Sequence, residues 1–515
     1  MKNLKIFLLM LVTFSSCDMD ENPPYLDESV YNDSSTVGAT LDGIYAALAS
    51  YNTQERRYII VNGYSGFFNT RKQGANINNP NNANLYSLKP TSNDSDSAQL
   101  WSGLYSAIGR ANAAIANVPV NNLENNSEDS LLFEDVAGQA RFIRAWSYFS
   151  LVRLYGDIPL VTALPSSDNL MVGLSPAKEI YGQIITDAEI ASSLINGSAE
   201  DANNNIYAKS YAANMLLAKV YMTLATNPQL VPDELIGSNF WQLAYNEAEV
   251  VYGQYTLFPD YPSLFTLENE NSDESIFELQ ITQAASNSQM GRNYTPNNYK
   301  AGQCFGWFTV NADVYDNHAA FYPGDIRLEG ATIISEYTNN NPNSNWFGNT
   351  QRTYPSRNRA HYRNAHPYLF KFANKDIGHS NQYDDRNILI YRYADLLLML
   401  AEISNELQNG EQLGYVTEVL SRVNLNNNAY ATADQETFRD LIMKEYSYEL
   451  LGEGEDAHNN RRRGFDYFLN NIIIPHNTNS SLNFNAFDLT LSENESEVMY
   501  LPLPATEINT NELIN

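Results

Sequence analysis

Apolar residues recur three and four positions apart along much of the chain. Ala213, Leu216, Leu217, Val220 and Leu224 share one helical face, as do Leu396, Leu400, Ile403 and Leu407, and Ala145, Phe149, Val152 and Tyr155. This pattern predicts helices near 35–51, 98–118, 134–155, 176–195, 207–226, 239–253, 390–408, 413–424, 434–451 and 459–471. Ser175-Pro176 reads as an N-cap followed by proline at the first helical position, and Gly156 before Asp157-Ile158-Pro159 as a helix stop. Small residues such as Ala111, Ala113, Ala114, Ala212, Ala213 and Ala218 recur where paired helices would pack closely. Two stretches break the pattern. Residues 58–97 are rich in Asn, Gly and Ser, with Tyr64, Phe67, Phe68 and Tyr86 among them, and residues 270–385 hold only short strand-like runs such as Ile276–Ile281. A loop region of that length inside a compact chain is usually functional or disordered, and its aromatic content argues for function.

The first residues set a compartment. Lys2 and Lys5 precede a short apolar core, Ile6–Val12, too short to span a membrane. Ser15-Ser16-Cys17 then resembles a bacterial lipobox, in which Cys17 is acylated and becomes the N-terminus of the mature chain. Asp18-Met19-Asp20-Glu21-Asn22-Pro23-Pro24 follows, an acidic tether that reads both as a solvated linker and as a tag for the outer leaflet. Composition fits this placement. The 515 residues carry 31 Lys+Arg against 60 Asp+Glu, a formal net charge of −29, which excludes nucleic acid as a partner. Two cysteines exclude a disulfide scaffold, and no apolar run crosses a bilayer.

Arg141-Phe142-Ile143-Arg144-Ala145-Trp146-Ser147-Tyr148-Phe149, running into Leu154-Tyr155-Gly156-Asp157-Ile158-Pro159, resembles the signature helix and turn of the SusD/RagB family. Tyr211–Ala218, Asp325-Ile326-Arg327, Tyr391–Glu402, Glu449–Gly454 and Tyr500-Leu501-Pro502-Leu503-Pro504 match in the expected order over nearly the whole mature chain. One run departs: after Gly454 come Glu455-Asp456-Ala457-His458-Asn459-Asn460-Arg461-Arg462-Arg463, where the family usually places an Arg early and an acid soon after. The resemblance implies a mostly α fold of four tetratricopeptide-like helix pairs with a long irregular loop-rich subdomain and a few short strands. It implies a signal peptide (1–16), an acylated acidic linker (17–34), an N-terminal helical region (35–270) and a C-terminal region (271–515) whose segment 271–385 faces ligand. It further implies a non-catalytic lipoprotein of the Gram-negative outer membrane, exposed at the cell surface. Such a protein captures oligosaccharides, or in some members peptides, for a SusC-like TonB-dependent transporter. Trp146, Arg141 and Tyr393 are then packing and ion-pair positions.

A helical glycoside hydrolase is the rival reading. It needs two carboxylates across a sugar ring, one with a raised pKa, and Asp384 with Asp385 or Glu453 with Glu455 are the candidates. Glu402 and Glu406, one turn apart, read as structural ion-pair partners. No zinc motif, EF-hand or phosphate loop is present, so no metal or cofactor is expected. Cys304 reads as a buried small hydrophobe. Sugar binding instead needs aromatic rings to stack on pyranose faces and amide, carboxylate or guanidinium groups for the hydroxyls. Trp101, Trp146 and Trp241 lie in periodic helices and read as core. Trp307 and Trp346 lie in the irregular region and are the leading ligand candidates, with burial under a loop as the alternative. Tyr294, Tyr299, Tyr64, Phe68 and Tyr86 are further candidates. Arg352, Arg357, Arg359, Arg363, Lys371 and Lys375 form a basic stretch free of acids. It either pairs with the protein's own carboxylates or, through Arg357 and Arg359 in particular, meets an anionic glycan or the transporter rim.

Overall fold

The computed structural model describes residues 29–514 except 71–79, 121–127, 165–170, 196–205, 283–287, 303, 356–365 and 480–488. Eleven helices used below are α1 Gly38–Leu48, α2 Tyr51–Gly63, α3 Ser95–Asn117, α4 Glu128–Tyr155, α5 Ala177–Leu194, α6 Ser210–Thr226, α7 Phe240–Val251, α8 Tyr393–Leu407, α9 Gln412–Arg422, α10 Gln435–Glu449 and α11 Asp456–Arg462. Helices α3 to α7 pack each on the next. The chain then leaves the array, and α8 returns to pack on α7, on α9 and on α10. Among the described residues these helices, five before the excursion and three after it, make a mostly helical, tetratricopeptide-like scaffold. Alanine permits the close approach: Ala111, Ala114, Ala212, Ala213 and Ala218 are fully buried.

Local chemistry sets the helix ends. Asp94 caps α3 by accepting from Ser97 N at 2.8 Å, and Asp434 caps α10 by accepting from Thr437 N at 2.9 Å. Gly156 ends α4 at φ +74°, as its sequence position predicts. The start of α5 differs from expectation. Ser175 makes no cap; Asp157, just beyond the Gly156 turn, accepts from Ala177 N at 2.8 Å across the chain. The signature helix also differs in one role. Arg144, not Arg141, makes the ion pair, with Nε and Nη2 on the two oxygens of Asp187 at 2.8 and 2.7 Å. Arg141 donates to the Ala137 carbonyl and, among the described residues, makes no ion pair.

The stretch 58–97 is more regular than its composition suggests. It begins inside α2, whose Thr53, Gln54, Glu55, Arg57 and Asn62 are buried. A helix buried on every face shows no amphipathic period, so its sequence carries no helical signal. After it come strand β1 (Phe68–Thr70) and a short helix, Pro80–Tyr86.

Between α7 and α8 the excursion holds most of the strands. After the small pair β2 (Ile158–Pro159) and β3 (Leu174–Ser175) come β4 (Ser275–Leu279), β5 (Phe308–Val310), β6 (Ile333–Ile334), β7 (Glu336–Thr338), β8 (Thr350–Arg352), β9 (Tyr368–Leu369) and β10 (Ile388–Arg392). One antiparallel sheet has the order β1-β5-β9-β6, with Phe68 opposite Val310, Thr309 opposite Tyr368 and Ile333 opposite Leu369. Strands β4 and β10 pair antiparallel, and β10 runs straight into α8. Beneath them lies a buried ion network. Arg392 reaches Glu274 (2.8 Å), Glu449 (2.7 Å) and Glu453 (2.6 Å); Arg422 binds Glu274 and Glu449; Arg327 binds Asp325, Glu445 and Glu449; Lys371 binds Glu453 at 2.6 Å. These pairs tie the excursion to α9 and α10.

Candidate functional site

Strands β7 and β8 form a hairpin whose tip, Asn339–Asn349, carries two adjacent exposed rings. Trp346 is 65% exposed and Phe347 58%. The tip is held by amides. Asn339 is buried; its Nδ2 donates to Ser344 Oγ at 2.9 Å and its Oδ1 accepts from Asn341 N at 3.1 Å. Asn340 N donates to the Tyr299 carbonyl at 3.1 Å, Asn341 Nδ2 to Asn298 Oδ1 at 3.0 Å, and the Tyr337 hydroxyl to the Asn297 carbonyl at 2.7 Å. The hairpin is thereby docked on the loop 297–299. Half-buried Tyr299 lies 5.2 Å from Phe370 and 6.2 Å from Tyr337, ring to ring. The outcome is a wet aromatic surface on a fixed backbone, rimmed by amides.

A second aromatic layer adjoins it. The half-buried Trp307 ring stacks on Phe305 at 5.2 Å and 18°, and the Arg292 guanidinium lies over Phe305 at 4.3 Å. Phe305 N and Trp307 N donate to the carbonyls of Arg292 and Asn293, which fixes the two rings in register. Gly306 between them has φ +53°, and a Cβ there would lie 2.7 Å from the Tyr368 ring and 3.2 Å from Pro296 Cα, so only glycine fits. Tyr368 in turn lies 6.3 Å from Tyr337, which links the two layers. Arg292 also donates to Gln382 Oε1 at 2.9 Å and to Gln289. Below, Glu55 accepts from Gln289 N and from Asn293 Nδ2; burial pushes its carboxyl up to about 7 despite these bonds.

Other sequence-level candidates fall elsewhere. Tyr294 is buried, stacked on Phe308 at 4.3 Å, its hydroxyl accepting from Asn62 Nδ2. Tyr64 is buried under Arg461, with its hydroxyl on the Glu497 carbonyl. Phe68 lies in β1 and Tyr86 ends the short helix, and both are buried. These four rings present no face to a ligand, because the segments that read as irregular fold into the core. Trp101 and Trp146 are buried and Trp241 is half-buried, in line with their helical setting. Cys304 is buried as expected. Cys17, Arg357, Arg359, Arg363 and His361 lie outside the described residues. In the rest of the basic stretch, Arg352 pairs with Glu336 at 3.2 Å and Lys371 is buried on Glu453. Lys375 lies over Phe370, pulled down to about 8 by burial and by Arg386.

Glu453 and Glu455 are engaged in ion pairs. Burial alone would raise Glu453 and Glu455, but Arg392 and Lys371 at the first, and Arg153 and Lys219 at the second, hold both below the usual carboxylate range. Neither can carry a proton to a leaving group near neutral pH. Asp384 is buried while Asp385 is exposed. Glu402 binds Arg462 and Arg463, and Glu406 binds Arg439 at 2.5 Å, so both are structural.

Sequence reasoning missed Phe347, Tyr337, Phe305 and Arg292. The Trp-Phe dipeptide inside an Asn-rich run, and Phe-Gly-Trp as two rings around a glycine, were the available signals.

Comparison with known proteins accords with this architecture. Residues 273–515 match the model of the SusD family, and residues 24–222 match a second model described as "Starch-binding associating with outer membrane". Both models are of SusD type and together span most of the chain, which belongs to the SusD-like family. A SusD-like protein, P2, of Formosa agariphila is 24% identical over 99% of this chain and 98% of its own. Among solved structures, a SusD homolog from Bacteroides thetaiotaomicron superposes with a TM-score of 0.78 at 20% identity, covering 96% of this chain and 98% of that one. Surface glycan-binding protein A from the same organism, in complex with laminarihexaose, gives a TM-score of 0.69 at 18% identity over 93% of this chain and 98% of that one.

Proposed function

We propose that the protein is a non-catalytic, cell-surface glycan-binding lipoprotein. It is anchored in the outer membrane through acylated Cys17 and passes oligosaccharides to a SusC-like TonB-dependent transporter. The observation that carries this reading is the exposed Trp346–Phe347 pair on a hairpin pinned by buried Asn339, with Tyr299, Tyr337 and the Trp307–Phe305–Arg292 layer adjoining it. Aromatic faces suit the C–H faces of sugar rings, and the surrounding asparagines suit their hydroxyls. Family membership and the glycan-bound structural relative support the same class of ligand. Binding without hydrolysis is supported by the engagement of Glu453 and Glu455 in buried ion pairs.

The test is a binding screen of the mature protein against neutral and anionic oligosaccharides and peptides, with reducing ends assayed in parallel. Saturable binding of a glycan without new reducing ends is expected. Turnover would overturn the non-catalytic assignment, and exclusive binding of peptides would overturn the glycan assignment.

A further inference from the structure

Glu55 and Asn62 lie two turns apart on α2, and both bond to one short helix of the excursion, Met290–Tyr294. One Glu55 oxygen accepts from Gln289 N, just before that helix, and the other from Asn293 Nδ2 at 3.0 Å, near its end. Asn62 Nδ2 donates to the Tyr294 hydroxyl at 3.1 Å. Residues seven apart share a helix face, so one face of α2 grips the segment at both ends. The cations next to Glu55 in the chain are spent elsewhere: Arg56 pairs with Asp96 at 2.7 Å, and Arg57 donates to the Gly454 carbonyl.

A five-residue helix does not hold itself in water, and this one carries the Trp307 layer. Its Arg292 and Asn293 carbonyls accept from Phe305 N at 3.0 Å and Trp307 N at 2.8 Å. Its Arg292 guanidinium lies over the Phe305 ring and donates to the side chain of Gln289, the residue whose N–H Glu55 holds. Both Glu55 oxygens therefore end on groups that fix Phe305 and Trp307. Glu55 itself is 5% exposed and offers no face to a glycan.

We propose that Glu55 is a positioning residue of the glycan site: from the scaffold it holds residues 289–293 in the arrangement that presents the Phe305–Trp307 stack. This rests on reading that aromatic layer as part of the glycan site. A ring set in place beforehand spares binding the cost of ordering it. Reach does the holding, since two acceptors must stand far enough from α2 to meet two donors at once. Gln keeps that length and one acceptor. Its amide N–H can meet Asn293 once that amide turns over, because Asn293 Oδ1 accepts no hydrogen bond among the described residues. Asp keeps the charge and both acceptors but is one methylene short.

Two measurements on the mature protein test this. Hydrogen exchange needs no ligand. The Phe305 and Trp307 amides should exchange severalfold faster in Glu55→Asp and at the wild-type rate in Glu55→Gln, with α4 and α6 unchanged in both. In the second, laminarihexaose affinity is read by calorimetry. Glu55→Asp should bind severalfold more weakly and Glu55→Gln close to wild type. The Glu55→Asp loss should vanish in a Trp307→Ala background and persist in a Trp346→Ala background, whereas a general structural defect would lower affinity equally in both. Unchanged exchange in Glu55→Asp, or an equal loss in the two backgrounds, would overturn the inference. Wild-type affinity in Trp307→Ala would instead overturn the reading of this layer as a glycan site, and the inference with it, whatever the exchange rates. If the wild type does not bind laminarihexaose, the exchange comparison alone decides.

Discussion

Arg392 and Glu449 meet at 2.7 Å where the last strand of the excursion turns into the helix array. Arg392 also holds Glu274 and Glu453, and Glu449 also receives Arg422 and Arg327. All of these groups are buried. The contact is therefore a node: removing either partner strands several charges of the other sign.

The first prediction follows from that node. Arg392→Met leaves three buried carboxylates short of a cation and should destabilise the fold by about 3–5 kcal/mol, read by chemical denaturation. The network also sets acid sensitivity. Burial alone would raise Glu449, but Arg422, Arg392 and Arg327 outweigh it and hold it well below the carboxylate range. A depressed folded-state pKa stabilises above the unfolded value, near 4.5, and that stability is lost as pH falls. Unfolding free energy should therefore drop below about pH 4.5, and less steeply in Glu449→Gln.

Asp456 predicts the opposite sign. Burial pushes its carboxyl up to about 7, although it accepts from Gly452 N at 2.7 Å. A raised pKa favours the protonated folded state, so its contribution is full below about pH 4 and is lost as pH rises through about 7. Asn preserves the acceptor without the charge. Asp456→Asn should be more stable than wild type at pH 8, by up to about 2–4 kcal/mol on linkage arithmetic, with the advantage vanishing near pH 4. Equal pH profiles for the two proteins would refute this.

Much of the scaffold is legible in the chain because array helices carry apolar residues three and four positions apart: α5, α6 and α7 begin and end within a few residues of their apolar periods. Helix α2 is not legible, because Glu55, Arg57 and Asn62 are satisfied only by partners far away, such as Gly454 and Tyr294. The site divides the same way. The sequence leaves Trp346, in its asparagine run, between a ligand-facing ring and a ring buried under a loop, and the structure exposes it. Tyr294 and Phe68 lie in equally polar stretches yet pack inward, since strand pairing with β5 and contact with α2 are non-local facts.

That division gives a mutational contrast. Trp346→Ala should weaken glycan binding about two- to twelvefold, from an aromatic stack contributing about 0.5–1.5 kcal/mol, and leave melting unchanged. Trp307→Ala should weaken binding similarly and also lower melting, because its ring packs on Phe305. Tyr294→Ala should cost about 3–5 kcal/mol of stability as a core truncation. Wild-type affinity in both tryptophan variants would place the site elsewhere.

Anchoring is tested separately from binding. With Cys17 as the acylated residue, Cys17→Ala should leave the membrane fraction while binding the same glycan with unchanged affinity. Protease treatment of intact cells should digest the wild-type protein, and protection under conditions that remove another surface protein would refute surface exposure.

Asn339→Ala separates the contact from its support. Asn339 touches no solvent, but its amide spans the hairpin tip, from Ser344 Oγ to Asn341 N. Without it Trp346 remains, yet the tip no longer holds the ring in one place. Ordering the loop then becomes part of the binding cost, at about 0.5–1.5 kcal/mol per immobilised side chain. Affinity should fall severalfold with a more unfavourable binding entropy in calorimetry, while the ring itself still contributes. The double variant Asn339→Ala/Trp346→Ala should then bind little worse than Trp346→Ala alone, because a loosened platform matters only when a ring stands on it. Strictly additive losses would mean that Asn339 acts through something other than Trp346.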